Sequence, residues 1–533
     1  MQMSRRSFVL GGVGGLGLAA LGGARGAAVQ NTEAAAAPAV QRGGEIVQAS
    51  SWTYPTFDLH LSTWAPAAGN LMLFEYLLEY ELVNEKTGQF QLRPALAEAW
   101  EQTDPKTVVF HLRKGIRFHD GSEFTADVAK WNLERLRDHP KSLAKTFLLD
   151  VDAVEAVDAS TLRVRLKAPS SSLPFRVSVA DYARMGMQSK AAFDKVGEAG
   201  LGRMPVGTGP MRFKQWVTDD RLTLERNGEY WRNGADGKPL PYIDSFVSRY
   251  LPDLTVGVPD IQSGQIMAAE NMPANQLSVL RANPRLRVVV WPWAVTTYFM
   301  MGFNIYRPPF DNLKVRQAAL YAINRDAMAK TLGYGEAQPA YYPDWTPSLA
   351  GYDDKILKYR YDPTKVKQLL NEAGYTGGIE TDLLVIQREP ESTIGQFAAE
   401  MWTSLGIKTT LRTLERLTWI TDVRSMNFQA CFWRNTPPEA DPAQIVSAVS
   451  PNSPDNWSGF KDEQIAGLMQ QADATMDLKA RAVVYRQALT RLQEQAYLGT
   501  GYNLPFNYVL DARVRGLGAY FSIPNFKAAW VAR

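Results

Sequence analysis

The chain of 533 residues is too long for one hydrophobic core and points to two or three domains. An apolar share of 45% with 21% charged residues excludes wholesale disorder, and four histidines with one cysteine, Cys431, leave too few ligands for a zinc or iron–sulfur site and none for an internal disulfide. The net charge is +3, and Arg5, Arg6 and Arg25 stand in an acid-free front segment; without it the charges balance at 55 each, so binding to nucleic acid or anionic lipid by bulk attraction is disfavoured.

In chain order, Ser4-Arg5-Arg6-Ser7-Phe8-Val9-Leu10 opens a short Gly/Ala/Leu run. This pattern predicts a secretory signal of the twin-arginine type over 1–30, with a linker over 31–42. No cysteine follows the apolar run, so a lipoprotein is not expected. Gly12-Val13-Gly14-Gly15-Leu16-Gly17 matches the dinucleotide fingerprint, yet no strand precedes it and the segment is expected to be discarded. No cofactor is expected.

Thr107–Leu112 and Thr161–Leu166 read as strands. Between them Thr125 is placed to cap a helix with Asp127 in its first turn and Val128, Trp131 and Leu136 facing inward. The β-forming run Leu286 to Asn304 is expected to cross between lobes. Asp362-Pro363 opens a helix with Val366, Leu369 and Leu370 on one face, ending at Gly374. A strand over Thr381–Ile386 follows. Ser392 is expected to cap a helix striped by Ile394, Phe397, Met401 and Leu405 and closed by Gly406. Then come a strand at Lys408–Leu414, a helix at Thr418–Met426 and a strand at Phe428–Trp433. That alternation predicts a parallel sheet and an α/β lobe. Helices near Asp462–Ala472 and Asp477–Tyr497 complete it, the second with Val484, Ala488 and Leu492 on one side.

Ligands of open α/β sheets bind beyond the carboxyl ends of the strands. Those ends carry Gln387-Arg388-Glu389, Glu415-Arg416 with Trp419, and Trp433-Arg434-Asn435. Guanidinium forks suit carboxylate or phosphate, and indoles supply flat apolar walls. The opposing reading pairs the arginines with Glu389, Glu415 and Glu439 and leaves the tryptophans in the core. Serine-hydrolase, zinc-protease and P-loop motifs are absent, and the four histidines read as structural or solvated.

Several separated stretches then resemble one family. They are Arg93-Pro94-Ala95-Leu96-Ala97-Glu98-Ala99-Trp100; Phe110 to Gly121; Thr125-Ala126-Asp127-Val128; Gly207-Thr208-Gly209-Pro210; Glu225-Arg226-Asn227 with Tyr230-Trp231; Phe303-Asn304 with Pro309-Phe310-Asp311; Arg316-Gln317-Ala318; and Tyr361-Asp362-Pro363 with Ala373-Gly374-Tyr375. From about Gly43 to about Gly516 the chain is similar to the family 5 extracellular solute-binding proteins, the receptors of peptide, nickel and opine ABC importers. The resemblance implies a two-lobe periplasmic-binding-protein fold of α/β class, with an extra domain inserted in the first lobe. The boundaries expected are lobe 1 over 43–72, the insertion over 73–204, lobe 1 again over 205–296, lobe 2 over 297–501 and a last piece of lobe 1 over 502–533.

The implied function is capture of a peptide or peptide-like solute for an ABC permease of the cytoplasmic membrane, without catalysis, by a monomer outside that membrane. Gln387-Arg388 resembles a pair in dipeptide receptors whose arginine holds the peptide carboxylate, and Trp433 matches a segment preceding an Asp-Pro pair, here Asp441-Pro442. Peptide receptors place an aspartate three positions before that pair; here the position is Pro438, with Glu439 beside it. This departure keeps open an oligosaccharide or an aromatic or anionic solute, and, from another class, a twin-arginine-exported hydrolase. A directly bound metal is disfavoured, though a metal chelate held by arginine is compatible. The candidate ligand-binding residues are Arg388, Trp433, Asp441, Trp419, Trp52, Tyr54, Trp457 and Arg434.

Overall fold

The computed structural model describes residues 39–62, 67–84, 89–142, 145–178, 184–343, 349–388, 390–435, 456–520 and 523–533. The expected signal and linker up to 38, and Pro438, Glu439 and Asp441, lie outside the described residues.

One mixed sheet organises most of the molecule. Its strands run in the order Ile407–Leu414, Ile379–Ile386, Ala430–Asn435, Leu286–Phe303, Leu498–Asp511, Ala268–Glu270, Glu45–Ser50, Ser245–Tyr250, Arg221–Arg226 and Met211–Val217. At one end Ile379–Ile386 pairs in parallel with both Ile407–Leu414 and Ala430–Asn435, as the helix–strand alternation predicts. At the other end Glu45–Ser50 pairs in parallel with Ser245–Tyr250 and Ala268–Glu270. Two long antiparallel strands, Leu286–Phe303 and Leu498–Asp511, join the two halves, and their register shifts between Trp291 and Met300. The β-rich run Leu286 to Asn304 therefore does cross between the halves.

Helix Pro363–Glu372 starts where the sequence places it: Asp362 accepts from the Lys365 amide, and Val366, Leu369 and Leu370 are buried. The next helix departs from expectation. Glu391–Ser404 begins at a Pro390 cap without a side-chain hydrogen bond, and Ser392 lies inside its first turn. Its buried face is Ile394, Gly395, Ala398, Ala399 and Trp402, whereas Phe397, Met401 and Leu405 only border the core. Gly395 lets the helix approach Val385 so closely that an added Cβ would come within 2.6 Å, and that close approach, with Ile394 and Trp402 inward, sets the buried face.

A separate four-stranded antiparallel sheet holds Ala97–Asp104, Thr107–Leu112, Thr161–Leu166 and Val151–Asp158. Helix Ala126–Asp138 packs on it, capped in backbone geometry by Thr125 but without the expected side-chain hydrogen bond. Its buried face includes Ala129, Asn132, Leu133 and Leu136; Trp131 is half-buried. This sheet and helix share one apolar core from Leu71 to Met187, distinct from the cores under the large sheet.

Many residues that carry the family resemblance turn out to build the scaffold. The buried Glu75 carboxylate accepts from Tyr230 Oη at 2.7 Å, Trp231 Nε1 at 2.7 Å and Thr208 Oγ1 at 3.2 Å. Gly207 passes the Leu73 carbonyl so closely that a Cβ would come within 2.1 Å of its oxygen. Asn304 donates to the carbonyls of Met426 and Phe428, both at 3.0 Å. Arg316 donates to the carbonyls of Phe310 at 2.8 Å and Gln495 at 3.0 Å.

Candidate functional site

The parallel strands Ile379–Ile386, Ile407–Leu414 and Ala430–Asn435 share a direction, so their carboxyl ends reach one edge of the sheet. There the Arg388 guanidinium pairs with Glu391 in the first turn of the following helix; its side chain is 42% exposed while that of Glu391 is fully buried. The acid seen to hold Arg388 is Glu391, one helical turn away; Glu389 lies outside the described residues. Glu415 is used as a helix cap, accepting from the Leu417 amide, and leaves Arg416 exposed.

Trp419, Trp433 and Trp457 converge on one core cluster with Met300, Phe428 and Phe460. Trp419 and Trp457 lie 5.6 Å apart at 51°, and the Arg424 guanidinium stands 5.7 Å over the Trp457 ring. Trp433 is buried opposite Met300, packed over Gly302, where an added Cβ would meet Ser458 Oγ at 2.4 Å and the indole at 2.9 Å. Neither Trp433 Nε1 nor Ser458 Oγ has a hydrogen-bond partner among the described residues. Buried indole N–H and hydroxyl groups are ordinarily paired, so both have capacity left for a polar guest. Arg434 is described only by its backbone, which pairs with Phe299.

On the other half, Trp52 and Tyr54 follow strand Glu45–Ser50 at its carboxyl end. They line a concavity with Trp216, Asp219, Asp220 and Ser248. Trp52 is 39% exposed, whereas Tyr54 is buried and stacks on Phe57 at 4.8 Å. Sequence reasoning missed the acid at this edge. Glu270, the last residue of Ala268–Glu270, is 5% exposed and accepts from Ser50 Oγ at 2.5 Å and Tyr508 Oη at 3.4 Å. Burial raises its carboxyl above the ordinary range, and the two hydroxyls offset only part of that. A carboxylate ending the apolar run Met267-Ala268-Ala269 was the available signal.

The histidines divide in two. His60 is buried and His119 partly so, and removal from water lowers them to about 3 and about 4. His60 Nδ1 accepts from Arg135 at 2.9 Å, and that arginine forks onto Asp58 at 2.8 and 2.6 Å. His111 and His139 lie near Glu101 and Glu198 at 3.5 and 3.0 Å. These histidines serve scaffold contacts.

Residues 91–457 match the family described as bacterial extracellular solute-binding proteins, family 5. The chain belongs to that family. A family 5 solute-binding protein is the extracytoplasmic binding component of an ABC importer. The glutathione-binding protein GsiB of Pectobacterium atrosepticum is 31% identical over 414 residues, covering 75% of this chain and 78% of that protein. Among solved structures, the periplasmic binding protein DppA of Helicobacter pylori, in complex with the peptide STSA, superposes with a TM-score of 0.76 at 24% identity, over 92% of this chain and 99% of its own. AgaA of A. tumefaciens R10, in complex with agropinic acid, gives a TM-score of 0.75 at 22% identity over 92% and 99%. The fold of this family 5 protein is thus the two-lobe α/β architecture of periplasmic binding proteins.

Proposed function

We propose that this family 5 protein captures a peptide or peptide-like organic solute between its two lobes and delivers it unchanged to an ABC permease. The reading is carried by the convergence of Trp419, Trp433 and Trp457 at the carboxyl-end edge that also bears Arg388. Indole plates bind apolar side chains, while a half-exposed guanidinium is available to a terminal carboxylate. The names of its relatives, a glutathione-binding protein and a receptor in complex with a peptide, point the same way. In this reading lobe 1 comprises 43–72, 205–296 and 502–533, the insertion 73–204 and lobe 2 297–501. Arg388, Trp433, Trp419, Trp457, Arg434 and Asp441 belong to the ligand side of lobe 2, with Trp52 and Tyr54 facing them. The protein acts as a monomer without turnover. It leaves the cytoplasm by the twin-arginine route through Arg5-Arg6 and carries no lipid anchor.

A second reading, an aromatic or opine-like anionic solute, is favoured by the exposed Trp52 indole and by the likeness to AgaA. Thermal denaturation against dipeptides, glutathione, opines and oligosaccharides decides between them. A bound ligand raises the melting temperature by mass action, as RT ln(1 + [L]/Kd). A rise with peptides and glutathione is expected; no rise with any peptide overturns the first reading, and formation of a converted product overturns both.

A further inference from the structure

A buried carboxylate costs free energy unless a cation or a full set of donors meets it. Elsewhere in this chain that demand is met: Asp58 has Arg135, Glu79 has Lys527 and Arg232, and Asp462 has Arg491. Glu270 is the exception among these buried acids. It is 5% exposed, its partners are the hydroxyls of Ser50 and Tyr508, and no Lys, Arg or His lies within salt-bridge distance among the described residues. A carboxylate presents about four lone-pair sites, so two hydroxyls leave half of its capacity unused.

Its place in the fold bears on what fills that capacity. Glu270 and Ser50 are the last residues of the neighbouring parallel strands Ala268–Glu270 and Glu45–Ser50, at the carboxyl-end edge where α/β sheets bind ligands. Ser50 Oγ also accepts the Trp52 amide at 3.2 Å, tying Glu270 to the segment that lines the Trp52–Tyr54 concavity. A second buried acceptor lies on the same face. Gln48, two residues before Ser50 and 1% exposed, has an amide oxygen without a partner among the described residues. A charged acceptor and a neutral one, both underused, match an ammonium with its three donors. The Trp52–Tyr54 concavity is also lined by Asp219, Asp220 and Arg221; Arg221 stands 3.6 Å from Asp220, which leaves one net negative charge there.

We propose that Glu270, supported by Gln48, is the lobe 1 recognition point for the amino group of the captured solute. The ligand is then an organic solute with a primary ammonium that docks on lobe 1. The assignment rests on the receptor reading above.

The test uses the mature protein and paired probes: dipeptides and glutathione, each beside its N-acetyl derivative, titrated by calorimetry. Wild type is expected to bind the free amines at least tenfold more tightly than the acetylated forms. Glu270→Gln, which keeps shape and hydrogen bonding but removes the charge, is expected to lose at least tenfold for the amines and little for the acetylated forms. Equal wild-type affinity within each pair overturns the assignment, whether or not the variant folds. So does a folded Glu270→Gln protein with unchanged amine affinity. Wild-type protein that binds no member of the panel overturns the peptide receptor reading itself, and Glu270 with it. Binding without discrimination overturns Glu270 alone.

Discussion

The backbone amide of Ser171 donates to the carbonyl of Asp473 at 2.7 Å, and the Ser171 hydroxyl reaches the same oxygen at 2.8 Å. Ser170 Oγ adds a bond to Asp473 Oδ1 at 3.0 Å. These residues stand about 300 positions apart, one beside the four-stranded sheet and the other at the end of helix Glu463–Ala474. The contact fastens two separately packed cores to each other. Each hydroxyl bond contributes about 0.5–1.5 kcal/mol. Ser170→Ala with Ser171→Ala removes both hydroxyl bonds and is therefore expected to shift the ensemble toward an open clamp and to weaken solute binding by about five- to 150-fold. Small-angle scattering of the unliganded double variant should show a larger radius of gyration; an unchanged radius and affinity would remove the latch.

Arg388→Ala should cost both affinity and stability. The substitution removes the proposed carboxylate partner and breaks the ion pair of Glu391, whose side chain is fully buried. Breaking a fully buried pair costs about 3–5 kcal/mol; with the guanidinium 42% exposed, about 1–3 kcal/mol is expected. Titrating the variant with a peptide and its C-terminal amide separates the two effects. Only the free carboxylate should lose affinity.

Gly302→Ala probes the tryptophan wall without removing a ring. The new methyl would stand 2.4 Å from Ser458 Oγ and 2.9 Å from the Trp433 indole, so one of them must move. Overpacking of this kind costs about 1–3 kcal/mol. Intrinsic fluorescence should change in the unliganded variant, and chemical denaturation should show the loss.

Acid should weaken the fold early. His60 and His119 ordinarily titrate near 6.5, but burial holds them at about 3 and about 4 in the folded protein. As the pH falls below 6.5 the unfolded chain takes up protons that the folded chain does not, so stability drops through that window. Asp58 acts lower down. Burial would raise it, but the Arg135 hydrogen bonds, the neighbouring charges and the Gln188 hydrogen bond together outweigh burial and hold it below its ordinary range, so its stabilisation persists until the pH falls through that lowered value. Replacing both histidines with glutamine should flatten the melting temperature between pH 6.5 and 4, relative to wild type.

Export is testable apart from binding. Arg5→Lys with Arg6→Lys keeps the charge of the front segment but removes the arginine pair. The variant should remain in the cytoplasm in cell fractionation, and normal export of it would refute the twin-arginine assignment.

The sequence by itself determined the α/β class, the cap at Asp362, the helices beginning near Asp462 and Asp477, and the parallel trio of strands. These depend on local periodicity and on short polar side chains meeting nearby amides, which a reader of the chain can count. It also placed Arg388, Trp419 and Trp433 at one sheet edge, because parallel strands deliver their ends together. Only the tertiary structure decided what each of those groups touches. The Glu391 partner of Arg388, the burial of Trp419 and Trp433, and the Trp402-centred face of helix Glu391–Ser404 depend on packing between distant segments. Glu270 is the clearest case. A glutamate ending a short apolar run is a faint mark in the chain, and its unmet charge appears only when Ser50 and Tyr508, more than 200 residues away on either side, close around it.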